Sequence, residues 1–63
     1  MKMNPAQERI HEQLRYDGDQ TLNQLEYELG DYLTRDEIEH ELDAMVEEGH
    51  AMRVGRHYRA VYR

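Results

Sequence analysis

The chain has 63 residues, of which 38% are hydrophobic, and it contains no Cys, Trp or Phe. This length predicts one domain over residues 1–63, with a modest core built from aliphatic side chains, Met and Tyr. The lack of cysteine excludes disulfides and thiolate metal sites, and no apolar stretch approaches the roughly 20 residues needed to span a bilayer. The N-terminus also lacks the apolar run of a signal peptide, so we expect a cytoplasmic protein without membrane contact.

The net charge of −6 is divided unevenly along the chain. Residues 1–33 hold three basic and seven acidic side chains, and residues 34–49 hold one basic and seven acidic. Residues 50–63 hold four arginines and no acidic side chain. An acidic average disfavours general nucleic-acid binding, because phosphate neutralisation supplies most non-specific affinity. The division along the chain nevertheless carries more functional information than the total charge.

Three helix starts are marked by capping residues. Asn4 precedes Pro5 as an N-cap before a proline in the first helical position. Thr21 and Thr34 are each followed three residues later by Gln or Glu, which is the pattern of a capping box. These starts predict three helices, near residues 5–16, 21–29 and 34–48.

Each predicted helix has one apolar face at helical spacing. Leu29 and Leu42 lie where these faces are expected to converge, so we place them at the centre of the core. Gly30 is predicted to end the second helix in left-handed geometry, and Gly49 to end the third. The faces consist of Ala6, Ile10 and Leu14, then Leu22, Leu25 and Leu29, then Ile38, Leu42, Met45 and Val46.

After Gly49 the apolar period changes from 3.6 to 2, which predicts a β-hairpin over about residues 51–62. A two-residue loop would pair Val54 with His57, whereas a three-residue loop would pair Val54 with Tyr58. The longer loop, with its tip at Gly55–His57, is preferred because it aligns the apolar residues on one face and sends the arginines to solvent. The aligned residues would be Met52, Val54, Tyr58, Ala60 and Tyr62.

Three helices followed by a hairpin resemble the winged helix-turn-helix (winged helix) family. The resemblance is most specific over residues 25–38, LEYELGDYLTRDEI, where an apolar helix face, a glycine, a short turn and a Thr-capped helix follow in the family's spacing. It implies a mainly α fold with a C-terminal β-hairpin (α+β), and a role in DNA binding and transcription regulation. The strand that winged helices often place between the first two helices would be at most a stub at residues 20–22.

In this family the helix corresponding to residues 35–47 usually enters the major groove. Its outward positions here include four carboxylates and no basic side chain, so this face should repel phosphates. Arg35, at the start of the helix, is the residue suited to a DNA backbone contact. The acidic face is either simply solvated or a docking surface for a basic protein partner. The outward positions are Asp36, Glu37, His40, Asp43, Ala44 and Glu47, and the docking surface would comprise Asp36, His40, Asp43 and Glu47.

The C-terminal hairpin has the opposite charge. Arginines at a hairpin tip can clamp phosphates or reach into a minor groove, although strand arginines also keep an edge hairpin soluble by pairing with carboxylates. We predict a small DNA-binding regulator that contacts DNA mainly through this hairpin. The alternative is a protein-interaction module that has lost DNA binding and uses its acidic helix. The predicted DNA-binding residues are Arg53, Arg56, His57, Arg59 and Arg63, with His50 nearby.

No catalytic residues are predicted, and the protein is not expected to be an enzyme. Thr21 and Thr34 are better explained as helix caps than as nucleophiles. The set Asp36, His40, Asp43 and Glu47 shares one helix face, but surface charge often produces such sets, so no metal or cofactor is predicted. Tyr27 lies opposite the apolar face of the second helix, where it is expected to be exposed and available for a homodimer contact.

Overall fold

In the computed structural model, which describes residues 2–62, the chain folds into helices and a small antiparallel sheet. The helices and the C-terminal hairpin follow one another in the predicted order, so the chain has a mixed α+β fold with winged-helix topology. Within residues 2–62, no helix combines the length and apolarity needed to cross a membrane. The elements are α1 (Pro5–Asp17), β1 (Gln20–Thr21), α2 (Leu22–Leu29), α3 (Arg35–Glu48), β2 (Ala51–Val54) and β3 (His57–Ala60). We call the hairpin formed by residues 51–60 the wing.

All three helices begin at a capping box. The side chain of each cap accepts a hydrogen bond from the amide of the third helical residue, whose own side chain accepts one from the amide of the cap. Because the cap residues are extended, α2 and α3 begin one residue later than predicted. The amide-to-cap distances are 2.8 Å from Gln7 to Asn4, 3.2 Å from Gln24 to Thr21 and 3.1 Å from Glu37 to Thr34.

The glycines that end α2 and α3 adopt different conformations. Gly49 ends α3 as predicted, with a left-handed φ of 84°. The prediction of left-handed geometry at Gly30 is wrong, because its φ is −62° and its conformation is right-handed helical. A Cβ atom at Gly30 would lie 2.7 Å from the carbonyl oxygen of Glu26. Glycine is therefore needed here because any side chain would clash with the backbone of α2.

The sheet connects the start of α2 to the wing. Its strand order is β1-β3-β2, with β3 in the centre and both pairings antiparallel. Gln20 lies opposite Tyr58, and Thr21 lies opposite His57. The stub of strand expected between the first two helices is therefore present, and it places the N-terminus of α2 beside the wing.

The wing has a two-residue loop, so the preferred prediction of a three-residue loop is wrong. Val54 pairs with His57 and Arg53 pairs with Tyr58. Gly55 has a φ of 64°, whereas Arg56 has no positive φ. This is the pattern of a type II′ turn, whose first central position favours glycine. The turn thus sets the register, and the alternation of apolar residues does not.

This register places a different set of side chains on the core face of the wing. Tyr58 and Ala60 are buried as predicted, and they are joined by Ala51. Met52 and Val54, which were predicted to be buried, are 46% and 40% exposed. The physical reason is that residues 51 and 53 face the same side of β2, so burying Ala51 turns Met52 and Val54 outward. Tyr62, predicted on the buried face, is 60% exposed and packs edge-on against His11.

The core lies between the apolar faces of the helices and the inner face of β2 and β3. Leu29 and Leu42, predicted at its centre, are 3% and 0% exposed. Val46 lies at the margin of the core and is 37% exposed. The buried hydrophobic residues are Ile10, Leu14, Leu25, Leu29, Ile38, Leu42, Met45, Ala51, Tyr58 and Ala60. Since α3 and the wing share this core, their outward faces are held in a fixed relation.

Candidate nucleic-acid interface

Arg59 of the wing is bound by the carboxylate of Asp19, which immediately precedes the neighbouring strand β1. Its Nε lies 3.0 Å from Oδ1 of Asp19, and its Nη2 lies 2.7 Å from Oδ2, which makes a two-point ion pair. The hydrogen bond from Arg59 lowers the pKa of Asp19, and the bond to Asp19 raises the pKa of Arg59. A phosphate would therefore have to compete with Asp19 for this guanidinium, a partner that sequence analysis did not identify.

Arg53 lies partly over the core face of the wing. Its guanidinium carbon is 5.9 Å from the centre of the Tyr58 ring, and its Nε donates a long hydrogen bond of 3.4 Å to the carbonyl oxygen of Gly55. The prediction that all wing arginines project from the other face or the tip is wrong for Arg53, because it shares the face of Tyr58. The side chain remains exposed, so its charge is still accessible to a ligand.

Arg56 and His57 occupy the tip of the wing and the start of β3. Both are exposed, and within residues 2–62 Arg56 forms neither a hydrogen bond nor an ion pair. His57 lies near Asp19, and its charge contributes to lowering the pKa of that carboxyl group. Arg63, also predicted to bind DNA, lies outside the described residues. Arg56 is thus the wing cation with the fewest constraints.

Arg35 points back from the start of α3 toward α2. Its Nη1 donates to Oδ1 of Asn23 at 2.6 Å and lies 3.3 Å from Oε1 of Glu26. About half of each charged side chain in this pair is exposed, with values of 45% for Arg35 and 44% for Glu26. The contacts hold Arg35 at the surface without removing it from solvent.

A groove of about 240 Å³ brings Arg35 and Arg56 together. Its other lining residues are Thr21, Leu22 and Asn23, which form the beginning of α2. Amide groups in the first turn of a helix have no carbonyl partner within the helix and favour anions. Two cations from separate elements therefore line one concave surface beside a helix start, although 21 residues separate them in sequence.

The outward face of α3 is acidic, as predicted. Asp36, His40, Asp43 and Glu47 are all exposed, and within residues 2–62 none of them forms an ion pair. Ala44, expected to point outward, is half-buried. Glu37 is exposed but acts in the capping box, where the backbone amide of Thr34, followed by its hydroxyl, lowers the pKa of the Glu37 carboxyl.

A second groove, of about 310 Å³, separates this acidic helix from the wing. Glu39 and Asp43 line it from α3, and Arg53 and Arg56 line it from the wing. Sequence analysis did not single out Glu39, whose position beside the wing depends on the way α3 packs against the sheet. A phosphate placed in this groove would be repelled by Glu39 and Asp43. In the groove at the start of α2, by contrast, the residue contributed by α3 is the cation Arg35.

The remaining predicted sites are individual exposed residues. Tyr27 is 87% exposed, as expected for a residue opposite the apolar face of α2. In the part of the chain that the structure describes, no three His, Asp or Glu side chains converge as metal ligands.

Comparison of this chain with protein-family models, with curated proteins and with solved structures finds no match. The order of helices and strands is consistent with winged-helix topology. A function has to be inferred from the side chains described above, because fold alone does not determine function.

Proposed function

We propose that this protein is a small DNA-binding regulator that contacts the DNA backbone through the tip of its wing and the start of α3. The observation that carries this proposal is the groove shared by Arg35 and Arg56. Guanidinium groups bind phosphate oxygens through paired N–H donors, and two of them on facing elements can hold adjacent backbone positions. The same activity requires access to DNA, which agrees with the cytoplasmic location expected from the sequence.

The charges around this groove determine the orientation of the proposed complex. Asp43 and Glu47 on α3 would be repelled by phosphates, so α3 lies away from the major groove in the bound state. Arg53 and His57 extend the basic surface along the wing. Arg59 contributes less because Asp19 engages both its Nε and its Nη2, whereas the contacts of Arg35 with Asn23 and Glu26 use Nη1. The complex therefore relies on backbone contacts, which position a protein on DNA but carry little sequence information.

Few phosphate contacts imply weak and salt-sensitive binding. Each neutralised phosphate contributes about −0.9 to the slope of log K against log salt concentration, so Arg35 and Arg56 together predict a slope of about −1.8. The chain's net charge of −6 opposes association further at low salt. We expect measurable affinity for duplex DNA at about 20 mM salt and its loss at physiological salt.

Fluorescence anisotropy with a labelled duplex tests the proposal. Arg56→Gln and Arg35→Gln should each lower the affinity about tenfold, as expected for loss of a charged hydrogen bond, and each should reduce the salt slope by about 0.9. Arg15→Gln makes the same change in net charge at an exposed site on α1 and serves as the control. Equal losses in all three variants, or no binding by the parent chain at about 20 mM salt, would refute the proposal.

A second function is supported by the outward carboxylates of α3, which are exposed. Asp36, Asp43 and Glu47 form an exposed acidic surface that a basic protein segment would complement. Titration with an oligolysine peptide, monitored through backbone amide shifts, should then perturb α3 and leave the tip of the wing unchanged. Loss of the shifts in the Asp43→Lys, Glu47→Lys variant would support docking on α3, and shifts confined to other acidic residues would contradict it.

A further inference from the structure

The groove between α3 and the wing has walls of opposite charge. Glu39 and Asp43 line one side, Arg53 and Arg56 line the other, and Leu22 and Tyr58 complete it. The cavity measures about 310 Å³. A surface of this kind offers a matching ligand both charged contacts and apolar contact.

The two walls do not neutralise each other within the chain. In residues 2–62 no ion pair within 4.0 Å joins Glu39 or Asp43 to Arg53 or Arg56. Arg53 is directed instead toward the Tyr58 ring and the carbonyl oxygen of Gly55. All four charges therefore remain available to a ligand that presents both signs side by side.

We propose that the occupant of this groove is a second copy of the same chain, related to the first by a two-fold axis. Such an axis makes residue i of one copy contact residue j of the other, and residue j contact residue i. A surface with adjacent acidic and basic walls is then complementary to itself. Arg56 of each copy lies against Glu39 and Asp43 of the other, so each unpaired charge gains an opposite one.

This association uses the arginine that the proposed DNA contact also needs. The dimer does not depend on DNA binding, but if both occur they exclude each other at Arg56. Raising the protein concentration then lowers the fraction of chains that can bind DNA. Because the contact rests on exposed charges that solvent and salt screen, the dimer is reversible and forms at high protein concentration.

Sedimentation equilibrium of charge-reversed variants tests this arrangement. One variant carries Glu39→Lys and Asp43→Lys, and the other carries Arg53→Glu and Arg56→Glu. Each alone has two walls of the same sign, so each should remain monomeric where the parent chain dimerises. An equimolar mixture should form a heterodimer, because each positive wall then meets a negative wall. A chain with all four changes keeps the parent's net charge of −6 and should dimerise like the parent.

Two controls keep the result interpretable. The Glu12→Lys, Glu28→Lys variant changes the net charge as much as the Glu39→Lys, Asp43→Lys variant, but Glu12 and Glu28 line a different groove. Because it lowers the net negative charge and leaves the proposed interface intact, it should dimerise at least as strongly as the parent chain. Arg56→Glu alone removes no hydrogen bond or ion pair within residues 2–62, so it should fold and still weaken the dimer. Circular dichroism verifies folding of every variant.

Three results would overturn the proposal. The parent chain remaining monomeric up to about 1 mM would exclude a specific dimer of useful affinity. Charge-reversed variants that still self-associate would place the contact elsewhere, Tyr27 being the next surface to examine. A mixture of the two variants that remains monomeric would exclude the two-fold arrangement. Since all measurements omit DNA, their failure is separate from failure of the proposed DNA contact.

Discussion

Helix α3 and the wing lie side by side and carry opposite charges, but their charged side chains differ in how many partners they have within the chain. On α3, Asp36, Asp43 and Glu47 are exposed and form no ion pair within residues 2–62. In the wing, Arg59 is bound by Asp19, whereas Arg56 forms no hydrogen bond or ion pair with any other described residue. The outward carboxylates of Asp36, Asp43 and Glu47 are thus available, although Glu37 and Glu41 elsewhere on α3 accept hydrogen bonds, and the basic charge of the wing is available only in part. Charge counted per segment therefore overestimates what the wing can offer a phosphate.

The largest expected effect is on the free energy of unfolding, to which α3 and the wing contribute unequally. Leu42 on α3 is 0% exposed, and Leu42→Ala should lower the free energy of unfolding by about 2–5 kcal/mol, enough to unfold a small domain. Val54 in the wing is 40% exposed, so Val54→Ala should have a much smaller effect. Urea unfolding followed by circular dichroism measures both. A larger loss of unfolding free energy for Val54→Ala than for Leu42→Ala would indicate that Val54 is buried, as the three-residue loop requires.

The next effect is on DNA affinity, which the negative charge of α3 is expected to lower. Asp43→Lys with Glu47→Lys removes repulsion from the helix beside the wing, so DNA affinity should rise several-fold at low salt. Glu12→Lys with Glu28→Lys makes the same change in net charge away from the wing and should raise affinity less. Anisotropy titrations below the concentration of dimer formation compare the two. A fall in affinity in the first variant would mean that the acidic face itself contacts the DNA.

A smaller effect is expected at the start of α3. Thr34→Ala removes the hydroxyl that accepts the Glu37 amide at 3.1 Å, and loss of such a cap costs about 0.5–2 kcal/mol. The same change should raise the pKa of Glu37 part of the way toward its ordinary value, because the Thr34 backbone amide still contributes. Thermal unfolding and carboxyl NMR titration measure the two effects. An unchanged pKa would show that the hydroxyl does not stabilise the Glu37 carboxylate.

The smallest effect concerns the ion pair that holds Arg59. The pKa of Asp19 is lowered in the folded chain, chiefly by its hydrogen bond with Arg59. The stabilisation is therefore complete above the ordinary aspartate pKa of about 3.9 and is lost as pH falls through the lower folded value. Arg59→Gln should raise the pKa of Asp19 while leaving that of Glu37 unchanged, as measured by carboxyl NMR titration. An unchanged pKa of Asp19 would mean that the pair does not persist in solution.

The same ion pair gives a second measurement on the wing. Asp19→Asn frees Arg59, so DNA affinity should increase slightly, and a further Arg59→Gln change should cancel the increase. A decrease in affinity for Asp19→Asn would indicate that the ion pair is needed to orient the wing.

Local signals in the sequence determined the helices and much of the core. Capping residues and their partners are three positions apart, so Asn4, Thr21 and Thr34 mark helix starts without any tertiary information. Helical spacing similarly identified Leu29 and Leu42 as central. The exposure of Tyr27 and of the acidic face of α3 followed from the same periodicity. Each of these features depends on contacts within one turn or one helix face.

The turn at Gly55 set the wing register locally, whereas tertiary structure decided the partners of the arginines. Gly55 in a type II′ turn was a local signal for the shorter loop, but the apolar spacing of Met52 and Val54 favoured the wrong face. Asp19 and Arg59 are 40 residues apart, and only the pairing of β1 with β3 brings them together. Arg35 and Arg56 meet in one groove for the same reason, because β1 places the start of α2 beside the wing. A side chain's charge can be read from the sequence, whereas its availability depends on distant residues that folding places beside it.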